Sequence, residues 1–353
     1  MITAIDMSTV YVFGAGASVD AGYPLASKMG SGLLKYMRGP GKRQFQACAE
    51  HLTKNFDEQP NIEDLVTQIH SQVSALQGSS CLEERAKRRA TARCRDTIGF
   101  ALKGWFRLLQ PSRATSYEIF ANSIVKRGDT VITFNYDISL ERELRQAHLW
   151  DLSRGYGFPL GHTETPSDVR VLKLHGSVNW LISFFDGAIG GTPLFNPASS
   201  MGSYPVILEE DCKNLGYEGF SGRTYAGGGV LPCLILPGRS KEFFYDTSFG
   251  REFEDFWYSL WAQAKGALKA ADKIVVCGYS LPEADQSARD LLLQRPRRDI
   301  AVQIISGSQS EPIADEFRGH GFECVSAFPG GRFAEWCEAQ RKMSGTAVTT
   351  GEI

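Results

Sequence analysis

Four short groups of glycine and polar residues could take part in chemistry, and together they span most of the chain. They are Gly-Ala-Gly-Ala-Ser at 14–18, Asn-Tyr-Asp at 135–137, His-Gly-Ser at 175–177 and Gly-Tyr-Ser at 278–280. Each group follows an apolar run that is typical of a buried strand. Glycines at such a point let backbone N–H groups approach a phosphate, and histidine is the usual general base near neutral pH. The four groups predict a site for a phosphate-containing ligand.

The first group has the layout of a dinucleotide-phosphate site without the spacing of the dehydrogenase fingerprint. An apolar segment at 9–13 leads directly into Gly14 and Gly16. In the pattern G-x-G-x-x-G the third glycine would stand at position 19, which is Val19, and the next glycine is Gly22. Taken alone, this loop is compatible with a nucleotide site or with an ordinary turn.

The elements that must position these groups are strands alternating with helices. Apolar runs predict strands at residues 9–13, 130–134, 169–174, 273–277, 301–305 and 323–326. This alternation predicts an α/β fold with a Rossmann-like, doubly wound parallel sheet. Ligands bind beyond the carboxyl ends of the strands in such a sheet. Those ends carry Gly14, Asn135, Asp137, His175, Ser280 and Ser306.

We predict one catalytic domain over residues 1–340, followed by a flexible tail at 341–353. Residues 42–125 have helical apolar spacing and no strand pattern, which predicts a helical insertion. Residues 182–229 are rich in glycine and irregular, which predicts a loop-rich excursion. The tail is expected because its composition is polar.

Composition narrows the function classes. The chain has 353 residues, 38 Lys and Arg against 40 Asp and Glu, and a net charge of −2, so no bulk charge attracts nucleic acid or membranes. We expect a cytoplasmic protein, because a signal peptide pattern and long apolar segments are missing. Eight cysteines without any C-x-x-C pair argue against a zinc ribbon and a disulfide framework.

In their order and spacing, the four groups resemble the sirtuin superfamily. Sirtuins have a GAG-x-S loop, a T-Q-N-x-D strand end, an L-H-G segment with the catalytic histidine, and a later G-x-S. This chain has GAGAS at 14–18, TFNYD at 133–137, LHGS at 174–177 and CGYSLP at 277–282. The variants F-N-Y-D, L-H-G-S-x-x-W and G-Y-S-L-P-x-x-D are similar to the prokaryotic sirtuin-like branch that hydrolyses NAD in defence against bacteriophage.

The resemblance implies that NAD is the substrate. We expect no metal, because the chain lacks C-x-x-C pairs. Cleavage of the nicotinamide–ribose bond passes through an oxocarbenium-like state, so the enzyme must anchor the diphosphate and hold the nicotinamide. Backbone N–H groups and one hydroxyl would hold the diphosphate, from Gly14, Ala15, Gly16, Ala17 and Ser18. The adenosine side would face Gly278, Ser280 and Ser306.

The catalytic residues implied by the resemblance are Asn135, Asp137 and His175. Asn135 would position a ribose hydroxyl or the attacking water, and Asp137 would accept from the nicotinamide carboxamide. His175 would be the general base. Simpler roles remain open, since Asn135 and Asp137 could cap the helix that begins at Ser139. Asp285 could likewise cap the next helix or take a direct part.

Departures from the protein-deacylating sirtuins are also informative. Those enzymes have two C-x-x-C pairs, an F-R after the proline of the first loop, and an F-G-E segment that pairs with the acyl-lysine peptide. Here Leu25-Ala26 follows Pro24, Phe134 replaces the glutamine that would contact the ribose, and Pro237 cannot donate to a peptide strand. These differences count against deacylation and favour attack by water.

We therefore predict an NAD hydrolase that releases nicotinamide and ADP-ribose as an effector of antiphage defence. Its activity would need control, and the chain has no room for a separate sensor domain, so we expect a homo-oligomer or a partner in trans. In related systems such partners include an Argonaute-like protein or a DNA-translocating ATPase. We expect no direct binding to nucleic acid or membrane. The alternatives are a protein deacylase or ADP-ribosyltransferase, and a non-catalytic module that binds NAD or ADP-ribose.

Overall fold

The chain folds into ten strands and ten α-helices within the part that the computed structural model describes. That part comprises residues 8–55, 61–75, 81–109, 111, 113–152, 154–158, 167–186, 193–195, 206–208, 228–236, 251–295 and 297–349. The strands are β1 (Thr9–Phe13), β2 (Thr130–Thr133), β3 (Arg170–Lys173), β4 (Gly176–Asp186), β5 (Pro193–Phe195), β6 (Val206–Leu208), β7 (Gly228–Leu234), β8 (Lys273–Cys277), β9 (Ala301–Ile305) and β10 (Cys324–Ala327).

The helices are α1 (Ala26–Met37), α2 (Arg43–Asn55), α3 (Ile62–Ala75), α4 (Leu82–Leu109), α5 (Thr115–Ser123), α6 (Ser139–Gln146), α7 (Arg251–Ala270), α8 (Gln286–Leu293), α9 (Ser310–Gly319) and α10 (Phe333–Thr349). Short 3₁₀ turns at Ala15–Ser18 and Gly307–Gln309 follow β1 and β9. The six predicted strands are confirmed, with boundaries that differ by a residue or two.

Six strands form one parallel sheet in the order β3-β2-β1-β8-β9-β10. The order of the strands along the sheet reverses direction between β1 and β8. This is the doubly wound arrangement, in which the reversal leaves a crevice at the carboxyl ends of the two neighbouring strands. The predicted α/β class is confirmed, and the crevice lies where Gly14 and Gly278 follow their strands.

The three central strands of the sheet are buried on both faces. All four residues of β2 are buried, as are the last four of β1 and of β8. Strands covered by helices on both sides read as continuous apolar runs, which is why the sequence pattern located them. At the amino ends, the Asp129 side chain accepts from the Thr9 N–H at 2.9 Å and joins β1 to the turn before β2.

The range 182–229, predicted as loop-rich, contains strands of a second sheet. β4 pairs antiparallel with β5, β6 and β7, with an irregular register between Gly176 and Leu181. Trp180 of β4 packs edge-on against Phe256 of α7 with ring centroids 6.0 Å apart. These strands were not predicted because the segment is rich in glycine and has no strand pattern of its own. They form by pairing with β4. Residues 187–192, 196–205 and 209–227 lie outside the described part.

The helical insertion predicted at 42–125 contains α2 to α5, and no strand occurs in its described residues. Helix α3 packs against α1 and α4, and α4 also contacts β4 and β7. Asn61 begins α3 as an N-cap, its Oδ1 accepting from the Glu63 N–H at 2.9 Å. Asn61 and Glu63 of this first turn line the cavity beside the crevice.

Helix α10 continues into the segment predicted as a flexible tail at 341–353. It ends at Thr349, and the following residues lie outside the described part. Phe333 and Trp336 bury the first turns of this helix. Good helix formers at 338–343 then extend it, so polarity alone was a poor indicator of a tail.

The structure also bears on cysteine pairing, metal-binding groups and membrane-spanning helices. The described cysteines form no disulfide, and five of them are buried. Those five are Cys48, Cys94, Cys233, Cys277 and Cys337. The described residues contain no group of three His, Cys, Asp or Glu side chains that could hold a metal ion. None of the described helices has the length and apolarity required to cross a bilayer.

Candidate active site

A cavity of about 880 Å³ lies at the carboxyl ends of the parallel strands. It is lined by every site residue predicted from the sequence except Ala17. These are Gly14, Ala15, Gly16, Ser18, Asn135, Asp137, His175, Gly278, Ser280 and Ser306. Ala17 belongs to the 3₁₀ turn and is fully buried. The structure thus brings together residues from all four sequence groups.

The glycine turn after β1 crosses the turn after β8 at backbone distance. A Cβ atom on Gly14 would lie 2.6 Å from the Cα of Tyr279, and one on Gly16 would lie 2.7 Å from the Cα of Gly278. Gly278 has φ of +61°, and a Cβ there would lie 2.2 Å from the Ala17 nitrogen. All three positions require glycine because backbone atoms occupy the space of a side chain.

This crossing uses N–H groups that were expected to bind a diphosphate. The Gly14 N–H donates to the Cys277 carbonyl at 3.0 Å, and the Gly16 N–H donates to the Gly278 carbonyl at 2.8 Å. The Ala17 N–H donates to the Gly14 carbonyl at 3.0 Å. Among the described residues, the Ala15 N–H has no such acceptor. The glycines therefore shape the cavity wall, and most of their N–H groups serve the fold.

Asn135 and Asp137 are joined to the glycine turn through the hydroxyl of Ser18. Asn135 donates from Nδ2 to the Gly14 carbonyl at 2.9 Å and to Ser18 Oγ at 3.0 Å. Ser18 Oγ donates to Asp137 Oδ2 at 2.7 Å, and it lies 2.8 Å from the Tyr117 hydroxyl. All of these side chains are buried, so the network holds the ends of β1 and β2 in one rigid unit.

The direction of each hydrogen bond in this network follows from the groups present. Burial, with a contribution from the nearby Asp137, raises the pKa of Tyr117 well above its ordinary value, so its hydroxyl stays protonated. Ser18 gives its only proton to Asp137, so Tyr117 must donate to Ser18. Both amide hydrogens of Asn135 are also used. What Asn135 can offer a ligand is the acceptor Oδ1.

The capping role considered for Asp137 is present as well. Its Oδ1 accepts from the Ser139 N–H at 3.0 Å, at the start of α6. The Asp137 carbonyl accepts from Lys173 Nζ, which also forms an ion pair of 2.8 Å with Glu141. Asp137 therefore caps a helix with one oxygen and completes the Ser18 network with the other. Asp137 is nevertheless one of the residues that line the cavity.

His175 stands between β3 and β4, where the two sheets meet. Its carbonyl accepts from the Ile235 N–H at 2.9 Å, just beyond the end of β7. The imidazole packs against Phe134 with ring centroids 4.9 Å apart. Its Nε2 lies 3.2 Å from Asp285 Oδ2, and both side chains are buried. The histidine is thus fixed in position at the cavity wall.

Four charged residues that line the cavity were not among the site residues predicted from the sequence, although a direct part for Asp285 had been left open. Glu63 comes from the first turn of α3, and Asp285 comes from the loop before α8. Lys28 and Arg332 are the lysine and arginine side chains among the described lining residues. Asp285 belongs to the G-Y-S-L-P-x-x-D pattern, so a signal for it existed. Glu63 carried no signal beyond helix capping.

Comparisons with known proteins point to one group of solved structures. No family model and no curated protein matches the chain. A Sir2–p53 peptide–NAD+ complex is 15% identical, covers 96% of this chain and 94% of that chain, and has a TM-score of 0.45. A Sir2 bound to acetylated peptide is 15% identical, with 96% and 93% covered and a TM-score of 0.44. A Sir2 homolog–NAD complex is 15% identical, with 97% and 91% covered and a TM-score of 0.43. Similarity at this level does not indicate which reaction the protein catalyses. That question depends on the residues that line the cavity.

Proposed function

We propose that this protein is a sirtuin-like NAD hydrolase that cleaves the bond between nicotinamide and ribose. The observation that carries the proposal is the convergence of Asn135, Asp137 and His175 with the glycine crossing on one cavity. A volume of about 880 Å³ falls within the usual range for sites that enclose a cofactor-sized ligand. The position at the reversal of strand order is also where doubly wound sheets bind nucleotides.

The charges of the cavity suit an oxocarbenium-like transition state. Glu63, Asp137 and Asp285 are the acidic residues among the described lining residues. When the C1′–N bond breaks, its electron pair leaves with nicotinamide and the ribose ring becomes positively charged. Fixed carboxylates nearby would stabilise that charge more than they stabilise the ground state.

Hydrolysis also needs a general base, a hydrogen-bond acceptor for the ribose hydroxyl or the water, and groups that bind the diphosphate. His175 would take a proton from the attacking water as the water oxygen bonds to C1′, which yields ADP-ribose. Asn135 would hold a ribose hydroxyl or this water through Oδ1. The diphosphate would lie near the Ala15 N–H with Lys28 and Arg332 as cations, a smaller contribution from the glycine turn than the sequence implied.

The proposal is tested by incubating the purified protein with NAD and separating the products by chromatography. We expect nicotinamide and ADP-ribose from the wild type, and neither product from His175→Ala or Asn135→Ala. Both variants should remain folded by circular dichroism. Wild-type turnover in both variants would remove the assigned site.

The two alternatives give different results in the same assay. A deacylase or ADP-ribosyltransferase would release nicotinamide only when an acyl-lysine peptide or another acceptor is added. A binding module would bind NAD and release no nicotinamide under any of these conditions. Release without an added acceptor therefore separates the hydrolase from both.

The biological role that we propose is NAD depletion in defence against bacteriophage, controlled by self-assembly or by a partner in trans. Uncontrolled cleavage of NAD would harm the host, so the activity must depend on a trigger. The support is the set of variant motifs F-N-Y-D, L-H-G-S-x-x-W and G-Y-S-L-P-x-x-D. Measurement of cellular NAD in infected and uninfected cells tests this role, and unchanged NAD after infection would contradict it.

A further inference from the structure

His175 contacts a carboxylate from a loop on the other side of the strand-order reversal. Asp285 lies between β8 and α8, and its Oδ2 is 3.2 Å from His175 Nε2. The two residues are 7% and 3% exposed, so water screens their interaction little. A buried carboxylate at this distance from an imidazole affects its orientation and its proton positions.

The Asp285 carboxylate has further contacts that set its position. Its Oδ1 accepts from the Ala288 N–H at 3.3 Å, which caps α8. Its Oδ2 accepts from the Tyr279 hydroxyl at 3.1 Å. The Tyr279 ring in turn stacks on Phe134 with centroids 4.4 Å apart and an interplanar angle of 21°. The carboxylate is therefore held in place by groups other than His175.

These contacts determine which nitrogen of His175 carries a proton. An ionised carboxylate accepts hydrogen bonds and cannot donate them, so a bond to Asp285 requires a proton on Nε2. Burial and the charge of Asp285 raise the pKa of Tyr279 well above its ordinary value, so this hydroxyl also donates to the carboxylate. In the neutral imidazole the lone pair is then on Nδ1.

We propose that Asp285 is the positioning residue of His175, which selects the tautomer with the proton on Nε2 and stabilises the imidazolium that forms during catalysis. This inference rests on the proposed function for its catalytic consequence. A carboxylate that orients a catalytic histidine plays the same part in other hydrolytic enzymes. Because Asp285 also caps α8, a test must separate the two roles.

Asp285→Asn makes that separation. Asparagine caps helices about as well as aspartate, so the fold should be retained. Its single oxygen is needed by the Ala288 N–H, which turns the amide NH₂ toward His175 and Tyr279. That NH₂ donates to Nε2 and favours the opposite tautomer. We expect kcat to fall by about 100-fold or more, with KM within a few fold of the wild type.

Two companion variants complete the kinetic design. Asp285→Ala should remove both the N-cap of α8 and the group that orients His175. It should therefore lower the melting temperature as well as kcat. Glu283→Gln makes the same charge change at an exposed position of the same loop. It should leave the melting temperature and kcat unchanged. A folded Asp285→Asn protein with wild-type kcat would overturn the inference.

A spectroscopic measurement tests the pair without any turnover. Nitrogen-15 NMR of protein labelled at its six histidines distinguishes protonated from unprotonated ring nitrogens, and the His175 signals are those missing from His175→Gln. We expect the proton on Nε2 in the wild type and a shift toward Nδ1 in Asp285→Asn. An unchanged tautomer would overturn the inference. If the wild type releases no nicotinamide, the proposed function fails, and this spectrum still decides the role of Asp285.

Discussion

At the residue scale, the hydroxyl of Ser18 is the connection on which the proposed site depends most. It accepts from Tyr117 and Asn135 and donates to Asp137, so one small side chain satisfies three buried polar groups. Two of those groups belong to the proposed catalytic set. A hydroxyl with all of its hydrogen-bonding capacity used inside the protein has little left for a diphosphate. Ser18 thus organises the proposed catalytic residues.

Ser18→Ala should lower the free energy of unfolding by about 2 to 3 kcal/mol, because it leaves buried donors and an acceptor without their partner. It should also weaken NAD binding, since Asn135 and Asp137 lose a common anchor. Urea denaturation and calorimetric titration measure the two effects. Ser31→Ala, at an exposed position of α1, is the control and should change stability by less than about 0.5 kcal/mol. Equal effects of the two substitutions would contradict this account.

At the element scale, two loops decide the geometry of the cavity by crossing at glycines. The turn after β1 and the turn after β8 touch through Gly14, Gly16 and Gly278. The loop that follows β8 includes Leu281, which has φ of +49° and is buried. A left-handed conformation at a leucine is costly, and it persists here because burial and the Arg289 bond to the Leu281 carbonyl hold it.

Gly278→Ala should destabilise the protein far more than Gly22→Ala. Both glycines have positive φ, at +61° and +87°, so backbone strain of about 1 to 2 kcal/mol applies to both. A Cβ at Gly278 also meets backbone atoms that cannot move aside, whereas nothing lies within 4 Å of one at Gly22. We expect a loss of more than about 3 kcal/mol at Gly278, measured by chemical denaturation. Similar losses at both positions would show that the crossing is not tightly packed.

A buried ion pair between Lys173 of β3 and Glu141 of α6 is a second contact that connects elements around the cavity. Both side chains are nearly inaccessible, and Lys173 also binds the Asp137 carbonyl. Burial raises the pKa of Glu141, and Lys173 opposes that shift. The pair therefore holds the loop of Asn135 and Asp137 to β3, at the cost of keeping a carboxylate in the interior.

Lys173→Met should destabilise the protein by about 3 to 5 kcal/mol near neutral pH, because Glu141 is left buried without its cation. Without Lys173 the pKa of Glu141 rises further above its value in the unfolded chain. The folded state then binds a proton that the unfolded state has released, so stability falls as pH rises above about 4.5. Denaturation between pH 5 and pH 8 should show the deficit growing with pH. The double variant Lys173→Met with Glu141→Gln should remove that growth, and a persistent pH slope would count against this explanation.

At the scale of the whole molecule, the cavity is assembled from segments that span the chain. The residues around Gly14, Asn135, His175, Asp285 and Arg332 all reach it, and α3 of the helical insertion adds Glu63. A ligand that contacts so many segments links the carboxyl ends of the parallel sheet to the insertion. Binding should therefore stabilise the whole protein and not one loop.

NAD should raise the melting temperature of His175→Ala, which is expected to bind the substrate without cleaving it. At a concentration of 100 times Kd the added stability is about 2.7 kcal/mol. Differential scanning fluorimetry measures the shift, and nicotinamide mononucleotide, which lacks the adenosine half, should give a smaller one. Absence of any shift with NAD would mean that this cavity is not the binding site.

The sequence by itself determined the parallel strands, the helical character of the insertion and the positions where polar residues follow strands. These are local properties, because apolar runs and turn residues are read within a few positions. Once six strands alternate with helices, the rules for parallel sheets bring their carboxyl ends together. For that reason the sequence alone placed Asn135, Asp137, His175 and the glycines at one edge of the sheet.

Only the tertiary structure decided how those residues are used. The donation of the Gly14 and Gly16 N–H groups to the turn after β8 depends on which strand lies beside β1. The contact between His175 and Asp285 depends on the same neighbour, and the second sheet depends on pairing with β4. Hydrogen bonds between distant segments depend on strand order and on the close approach of two backbones. Neither produces a periodic residue pattern that can be read from the sequence.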